Sequence, residues 1–129
     1  MALTAEVELG ASRLVVYDVH LESKGGDGLR FAQLSEVVLD SLRYPPSVPV
    51  VVTGDLNSSD PPSMWSTYML HFGFQDACAG TARRGTKRDG RTLDWIFTRG
   101  PVYCSESRVH SDIAASDHFP VSTVLTLKV

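Results

Sequence analysis

Val48-Pro49-Val50-Val51-Val52-Thr53-Gly54-Asp55-Leu56-Asn57 is the stretch whose reading decides the fold of this chain. The run Val48–Val52 is continuously apolar, the pattern of a central strand buried on both faces. It leads directly into Thr53-Gly54-Asp55-Leu56-Asn57. There Gly54 lets the backbone turn closely, and Asp55 and Asn57, two apart, can face one side of the exit loop. A carboxylate in that position can orient and deprotonate water, while an amide donates to a developing charge. The structural alternative is an Asx-turn, in which both side chains only serve the turn backbone.

Upstream, Leu3, Ala5, Val7 and Leu9 alternate with Thr4, Glu6 and Glu8, the period of a half-buried strand. A turn at Gly10 and Ser12 leads to a second strand, Arg13–Leu21, antiparallel to the first. Gly25-Gly26-Asp27-Gly28 breaks the chain. Leu29–Arg43 then reads as a helix with Phe31, Leu34, Val38 and Leu42 at spacings of three and four, closed by Pro45 and Pro46. Asp60-Pro61-Pro62 predicts a second helix with Asp60 as N-cap, ending near Gly73. Its Met64, Trp65, Tyr68, Met69 and Leu70 suit core packing better than a base-stacking platform. Residues 80–91 form a long polar loop, and Leu93–Thr98, Val102–Val109 and Phe119–Leu127 are the closing strands. The expected fold class is α/β (α+β), a single domain over 1–129 with a mixed β-sheet and helices on one face. No third helix is available to cover the other sheet face.

At 129 residues, 43% hydrophobic and 21% charged, the composition is that of a globular and not a disordered chain. No apolar run approaches the roughly 20 residues of a membrane span. The first ten residues lack the basic start and long apolar stretch of a signal peptide, so a cytoplasmic location is expected. Cys78 and Cys104 have no metal-site spacing; reduced thiols are the preferred reading, with a disulfide left open. A net charge of −3 argues against strong non-specific nucleic-acid binding. Arg83, Arg84, Lys87, Arg88, Arg91 and Arg99 nevertheless supply half of the 12 basic residues. They form either a solvated loop or a phosphate-attracting rim leading into Asp94.

Two further motifs follow. Leu93-Asp94-Trp95-Ile96-Phe97 sets one acid in an apolar strand, where an unpaired carboxylate is costly, so Asp94 requires a partner: His118 or a neighbouring arginine. Ser116-Asp117-His118 stands at the start of the last strand, where Asp117 can ligate a hard cation while His118 faces a substrate. Held by Asp94 through its other nitrogen, His118 has a fixed tautomer and can stabilise the charge of a pentavalent phosphorus. His20 ends the second strand and, taken alone, suits a structural role. His71 looks structural and Glu22 solvated; His110, beside Ser111 and Asp112, can line the same cleft.

Taken in this order, Val19-His20-Leu21, Gly54-Asp55-Leu56-Asn57, Leu93-Asp94-Trp95-Ile96-Phe97 and Ser116-Asp117-His118 resemble the endonuclease/exonuclease/phosphatase family. The resemblance implies a four-layered α/β/β/α sandwich of two similar halves, of which this chain carries the C-terminal one. It implies a metal-dependent phosphoesterase, hydrolysing a phosphodiester or phosphomonoester by activated water without a covalent intermediate. In that scheme Asp55 orients or activates the water and Asn57 binds phosphate oxygens. Asp94 pairs with His118, which contacts the phosphate, and His20 lies near the leaving group. Asp117, together with Asp55, ligates Mg²⁺ or Mn²⁺. The substrate is a phosphate ester of a nucleic acid, a lipid headgroup or a sugar. One departure stands out: the family's early asparagine strand and metal-binding glutamate strand do not precede Val19-His20-Leu21. Three arrangements accommodate this: a fragment of a longer protein with a missing N-terminal half, a homodimer, or a natural half-domain acting as a non-catalytic scaffold or binding module.

Overall fold

The computed structural model of the chain describes residues 1–58, 62–81 and 85–128. Ala2–Leu9 (β1) and Ser12–His20 (β2) form an antiparallel hairpin, and Asp27–Ser41 (α1) carries the chain across to Val50–Asp55 (β3), parallel to β2. Pro62–His71 (α2) and the two-residue strand Gln75–Asp76 (β4) precede Asp94–Arg99 (β5), which pairs antiparallel with both β3 and β4. These strands make one mixed sheet in the order β1-β2-β3-β5-β4. Val102–Val109 (β6) and Val121–Leu127 (β7) form a separate two-stranded hairpin.

The expected mixed sheet is present, and the last two strands stand apart from it. After β5 the chain turns at Gly100, with φ of 93°, and among the described residues β6 pairs only with β7, across a bulge between Ser105 and Arg108. It leans back on the sheet where Thr98 Oγ1 lies 3.5 Å from Cys104 Sγ. The last strand begins at Val121 and not at Phe119, because Pro120 offers no N–H and the Phe119 N–H is taken by the Thr86 carbonyl at 2.7 Å. Helix α1 begins two residues earlier than its spacing predicts. Asp27 there occupies the first turn, where its charge complements the helix dipole, and Arg30 grips it at 2.9 Å. Helix α2 ends at His71, and Gly73 just beyond it, with φ of 83°, permits the reverse bonds from Phe74 N–H to the Met69 carbonyl and from Gly73 N–H to the Leu70 carbonyl. The expected cap Asp60 lies outside the described residues. No disulfide joins Cys78 and Cys104.

Register assigns the sheet two faces. Val15, Tyr17, Val19, Val50, Val52, Trp95 and Phe97 point to one side and pack on Leu34, Val37 and Val38 of α1 and Trp65 and Met69 of α2. Both helices therefore cover the same face. Their junction is aromatic: Phe31 lies 4.5 Å from Trp65 and meets Tyr68 edge-on at 5.1 Å, centroid to centroid. The Tyr68 hydroxyl also shares a hydrogen bond of 2.6 Å with Ser35 Oγ across the two helices. Tyr68→Phe removes that bond while leaving the packing, and an unfolding titration is expected to show a loss of about 0.5–1.5 kcal/mol.

The opposite face is a different environment. Leu3, Ala5 and Val7 pair with Asp18, Val16 and Leu14, so the apolar members of β1 look away from the helices. Every residue of β1 is exposed, contrary to the half-buried strand its alternation predicts. The alternation is real, but nothing in the described chain lies against it. Only the β1 end of this face is bare: toward β5 the hairpin leans on it, Val51 and Thr98 are buried, and the candidate site lies on this side.

Candidate active site

The register at one end of the sheet brings the motifs together. His20 pairs with Asp55 across β2 and β3, and Asp55 pairs with Asp94 across β3 and β5. Paired residues share a face, so three side chains from distant sequence positions stand in a row at the strand ends, on the side away from the helices. Gly54 makes this row possible. Its φ is 136°, and a Cβ there would lie 1.9 Å from the Val19 carbonyl oxygen, so β3 approaches β2 more closely than any side chain permits.

Asp55 divides its two oxygens. Oδ1 accepts the Asn57 N–H at 2.8 Å, an Asx-turn that holds Asn57 at φ of 52°. Oδ2 lies 3.7 Å from His20 Nε2 and 4.0 Å from His118 Nε2. The turn reading of this motif is thus present, yet it occupies only one oxygen. Asn57 Nδ2 donates to the Leu21 carbonyl at 2.9 Å and, with two hydrogens, keeps one for a ligand. His118 comes from the opposite side: Nδ1 meets Asp94 Oδ2 at 2.8 Å. An ionised carboxylate only accepts, so the proton sits on Nδ1 and Nε2 faces Asp55. Asp94 thereby has the partner its apolar strand demands.

Asp117 points elsewhere. Its carboxylate is exposed and meets Lys87 Nζ at 3.5 Å. The carboxyl is held below the usual carboxylate range: desolvation raises it, and the Lys87 ammonium, with smaller help from His118 and the Ser116 hydroxyl, lowers it by more. His110 shares a 2.7 Å hydrogen bond with Ser122 on the hairpin, and His71 is exposed against Phe72. The basic stretch is internally satisfied where described. Arg88 Nε donates to the Ser116 carbonyl and Arg91 pairs with Asp89, while Arg83 and Arg84 lie outside the described residues. Arg99 does not belong with this group. It sits at the far end of β5 from Asp94, donating to the Ser41 carbonyl at 2.7 Å and stacking over Phe74.

Sequence reasoning missed the role of residues 86–91. They fold against the last motif, with an isolated bridge between Lys87 and His118 and a buried Thr86 whose hydroxyl meets the start of β5. Nothing in the spacing of this glycine-rich, charged run marks Thr86; a β-branched residue in a polar loop is the only signal.

Asp55, Asp94 and His118 present ligand atoms all within 4.8 Å of one another, a grouping able to hold a divalent ion. The donor chemistry fits as a partial shell. Asp94 Oδ2 is committed to His118, and Asp55 Oδ2 is the hard oxygen turned toward both imidazoles. Mg²⁺ is commonly bound through one or two carboxylates, with water and substrate oxygens completing the shell.

A mixed sheet with helices on one face and an acid–histidine row at its strand ends defines an α/β unit. The chain belongs to the endonuclease/exonuclease/phosphatase family, whose model matches residues 10–118. No curated protein matches it. Among solved structures, it is similar to a functionally unknown conserved protein from Enterococcus faecalis, at 20% identity and a TM-score of 0.79 over 98% of this chain and 56% of that one. D. rerio TDP2 complexed with a single strand DNA product matches at 19% identity and a TM-score of 0.76, over 97% and 61%. A Bacteroides thetaiotaomicron mannosyl-6-phosphatase matches at 19% identity and 0.65, over 92% and 53%. At these identities the likeness is one of fold, and the chain spans between 53% and 61% of those three structures. No helix among the described residues is long and apolar enough to cross a membrane.

Proposed function

We propose that this chain carries half of a phosphoesterase site, hydrolysing a phosphate ester by attack of activated water. The observation that supports it most is the row His20–Asp55–Asp94 with His118 closing over it, Asp55 Oδ2 lying within 4.0 Å of both imidazole Nε2 atoms. Asp55 Oδ2 would orient and deprotonate the water. As the imidazolium, with Nδ1–H held by Asp94, His118 would donate from Nε2 to a phosphoryl oxygen as charge develops. The remaining Asn57 amide hydrogen would hold a second phosphoryl oxygen, and His20, at the open edge, would stand near the leaving group. Asp55 Oδ2 would hold Mg²⁺ or Mn²⁺, which supplies charge neutralisation at the phosphate when bound; Asp117, the second ligand expected from the sequence, would join it only on leaving Lys87.

Turnover assays on a DNA oligonucleotide, a sugar monophosphate and a phospholipid headgroup ester, each with Mg²⁺ or Mn²⁺ and with chelator, test this reading and its substrate class. TDP2 and the mannosyl-6-phosphatase make the first two the leading candidates. Chelator-sensitive turnover of any one supports the reading. Absence of turnover by a folded sample on all three favours a half-domain that binds without catalysing.

We further infer that a second layer covers the exposed face of β1, supplied by additional polypeptide or by a second copy of the chain. Leu3, Val7 and Leu9 are 66%, 37% and 50% exposed on one strand face, an apolar row of the kind that drives association. For the chain alone, light scattering is expected to show self-association that Val7→Glu shifts toward monomer. An unchanged mass distribution would show that this row is not the contact.

A further inference from the structure

We propose that Thr86 is a positioning residue that locks the Asp94–His118 pair. The inference rests on the reading of that pair as functional but concerns a residue with no assigned role. Thr86 is 2% exposed and touches both partners' segments at once. Its Oγ1 accepts the N–H groups of Leu93 and Asp94 at 2.9 and 3.1 Å, which fixes the chain where Asp94 leaves the loop for β5. Its own carbonyl accepts the Phe119 N–H at 2.7 Å, which fixes the chain immediately after His118. Its N–H donates to the Arg91 carbonyl at 2.9 Å, closing the 86–91 loop on itself.

The same junction reaches the third motif, because the Leu93 carbonyl accepts the Leu56 N–H at 2.8 Å beside Asp55. The Thr86 hydroxyl and carbonyl, with the Leu93 carbonyl, therefore connect the segments bearing Asp55, Asp94 and His118. The 2.8 Å bond between His118 Nδ1 and Asp94 Oδ2 depends on two backbones that no shared strand ladder joins. A threonine methyl fills the site as well as valine does, so only the hydroxyl distinguishes the two. Losing it leaves two buried N–H groups without an acceptor and frees the start of β5 to shift. A displacement of about 1 Å at a functional pair is enough to disrupt it.

The test reads hydrogen bonding and not turnover, so it can fail independently of the phosphoesterase reading. Long-range ¹H–¹⁵N correlation spectra of the whole chain, in alkaline buffer with the ring neutral, report which nitrogen of His118 carries the proton. The wild-type chain is expected to hold the Nδ1–H tautomer that Asp94 selects. Thr86→Val is expected to shift His118 toward the Nε2–H tautomer, as Asp94→Asn does, while Thr86→Ser retains the wild-type form. A Thr86→Val chain that keeps the Nδ1–H tautomer overturns the proposal. Should that variant not fold, amide exchange in the wild-type chain decides: slow exchange at Leu93 and Asp94, retained in Thr86→Ser, supports the bond, and fast exchange at both overturns it.

Discussion

Asp55→Ala is expected to lower phosphate-ester turnover on the order of 10²–10⁴-fold, the range that a positioned acid or base contributes. The expectation follows from how Asp55 is used. Oδ1 is spent on the Asn57 turn, so Oδ2 alone faces the two imidazoles, and removing the side chain deletes the proposed base and the hard ligand together. The effect should fall on kcat with the protein still folded, since Asp55 is the last residue of β3 and lies outside the helix-side core. Asp55→Asn provides the finer measurement. It keeps a carbonyl oxygen able to accept the Asn57 N–H, so the turn survives while the negative charge is lost. Comparable loss in both variants assigns the effect to charge, whereas full activity in Asp55→Asn would reduce Asp55 to a turn residue.

Gly54→Ala carries the largest expected stability effect. The added Cβ would sit 1.9 Å from the Val19 carbonyl oxygen, with Val19 carbon and nitrogen at 2.8 and 2.9 Å, all of them backbone atoms unable to rotate away. A φ of 136° adds strain that only glycine avoids. Together these should cost about 3–5 kcal/mol, read from a urea titration. Gly28→Ala is the control. It lies in α1 with nothing within 4 Å of an added Cβ, and alanine there is expected to be neutral or stabilising by up to about 1 kcal/mol. Equal behaviour of the two variants would mean that the close approach of β3 to β2 is not what sets the row of functional residues.

Where local chemistry dictates structure, the sequence was readable. The run Val50–Val52 is buried on both faces because it runs mid-sheet between β2 and β5, and uniform valine admits little else. Asp94 announced its need of a partner by being the acid in an apolar strand, and His118 meets it. The parts that could not be read depend on tertiary pairing. Strand β4 has two residues, too few for any period to register. The departure of β6 and β7 from the main sheet depends on which edge each strand finds, which alternation does not encode. Strand β1 alternates correctly yet is exposed throughout, because alternation states which side is apolar and not whether anything covers it. Arg99 looked like part of a basic rim until register carried it to the opposite end of β5, about 17 Å from Asp94 at the usual rise per residue.

The central claim is that His118 acts on a phosphate ester at this row. Its most direct test is steady-state hydrolysis of bis-p-nitrophenyl phosphate and p-nitrophenyl phosphate with Mg²⁺, comparing the wild-type chain with His118→Ala at matched folded concentration. Metal-dependent turnover of at least one ester, lost in His118→Ala while the unfolding midpoint stays close to wild type, is the expected result. Turnover that persists in the folded variant would contradict the account, because hydrolysis would then be occurring without the imidazole around which the site is built.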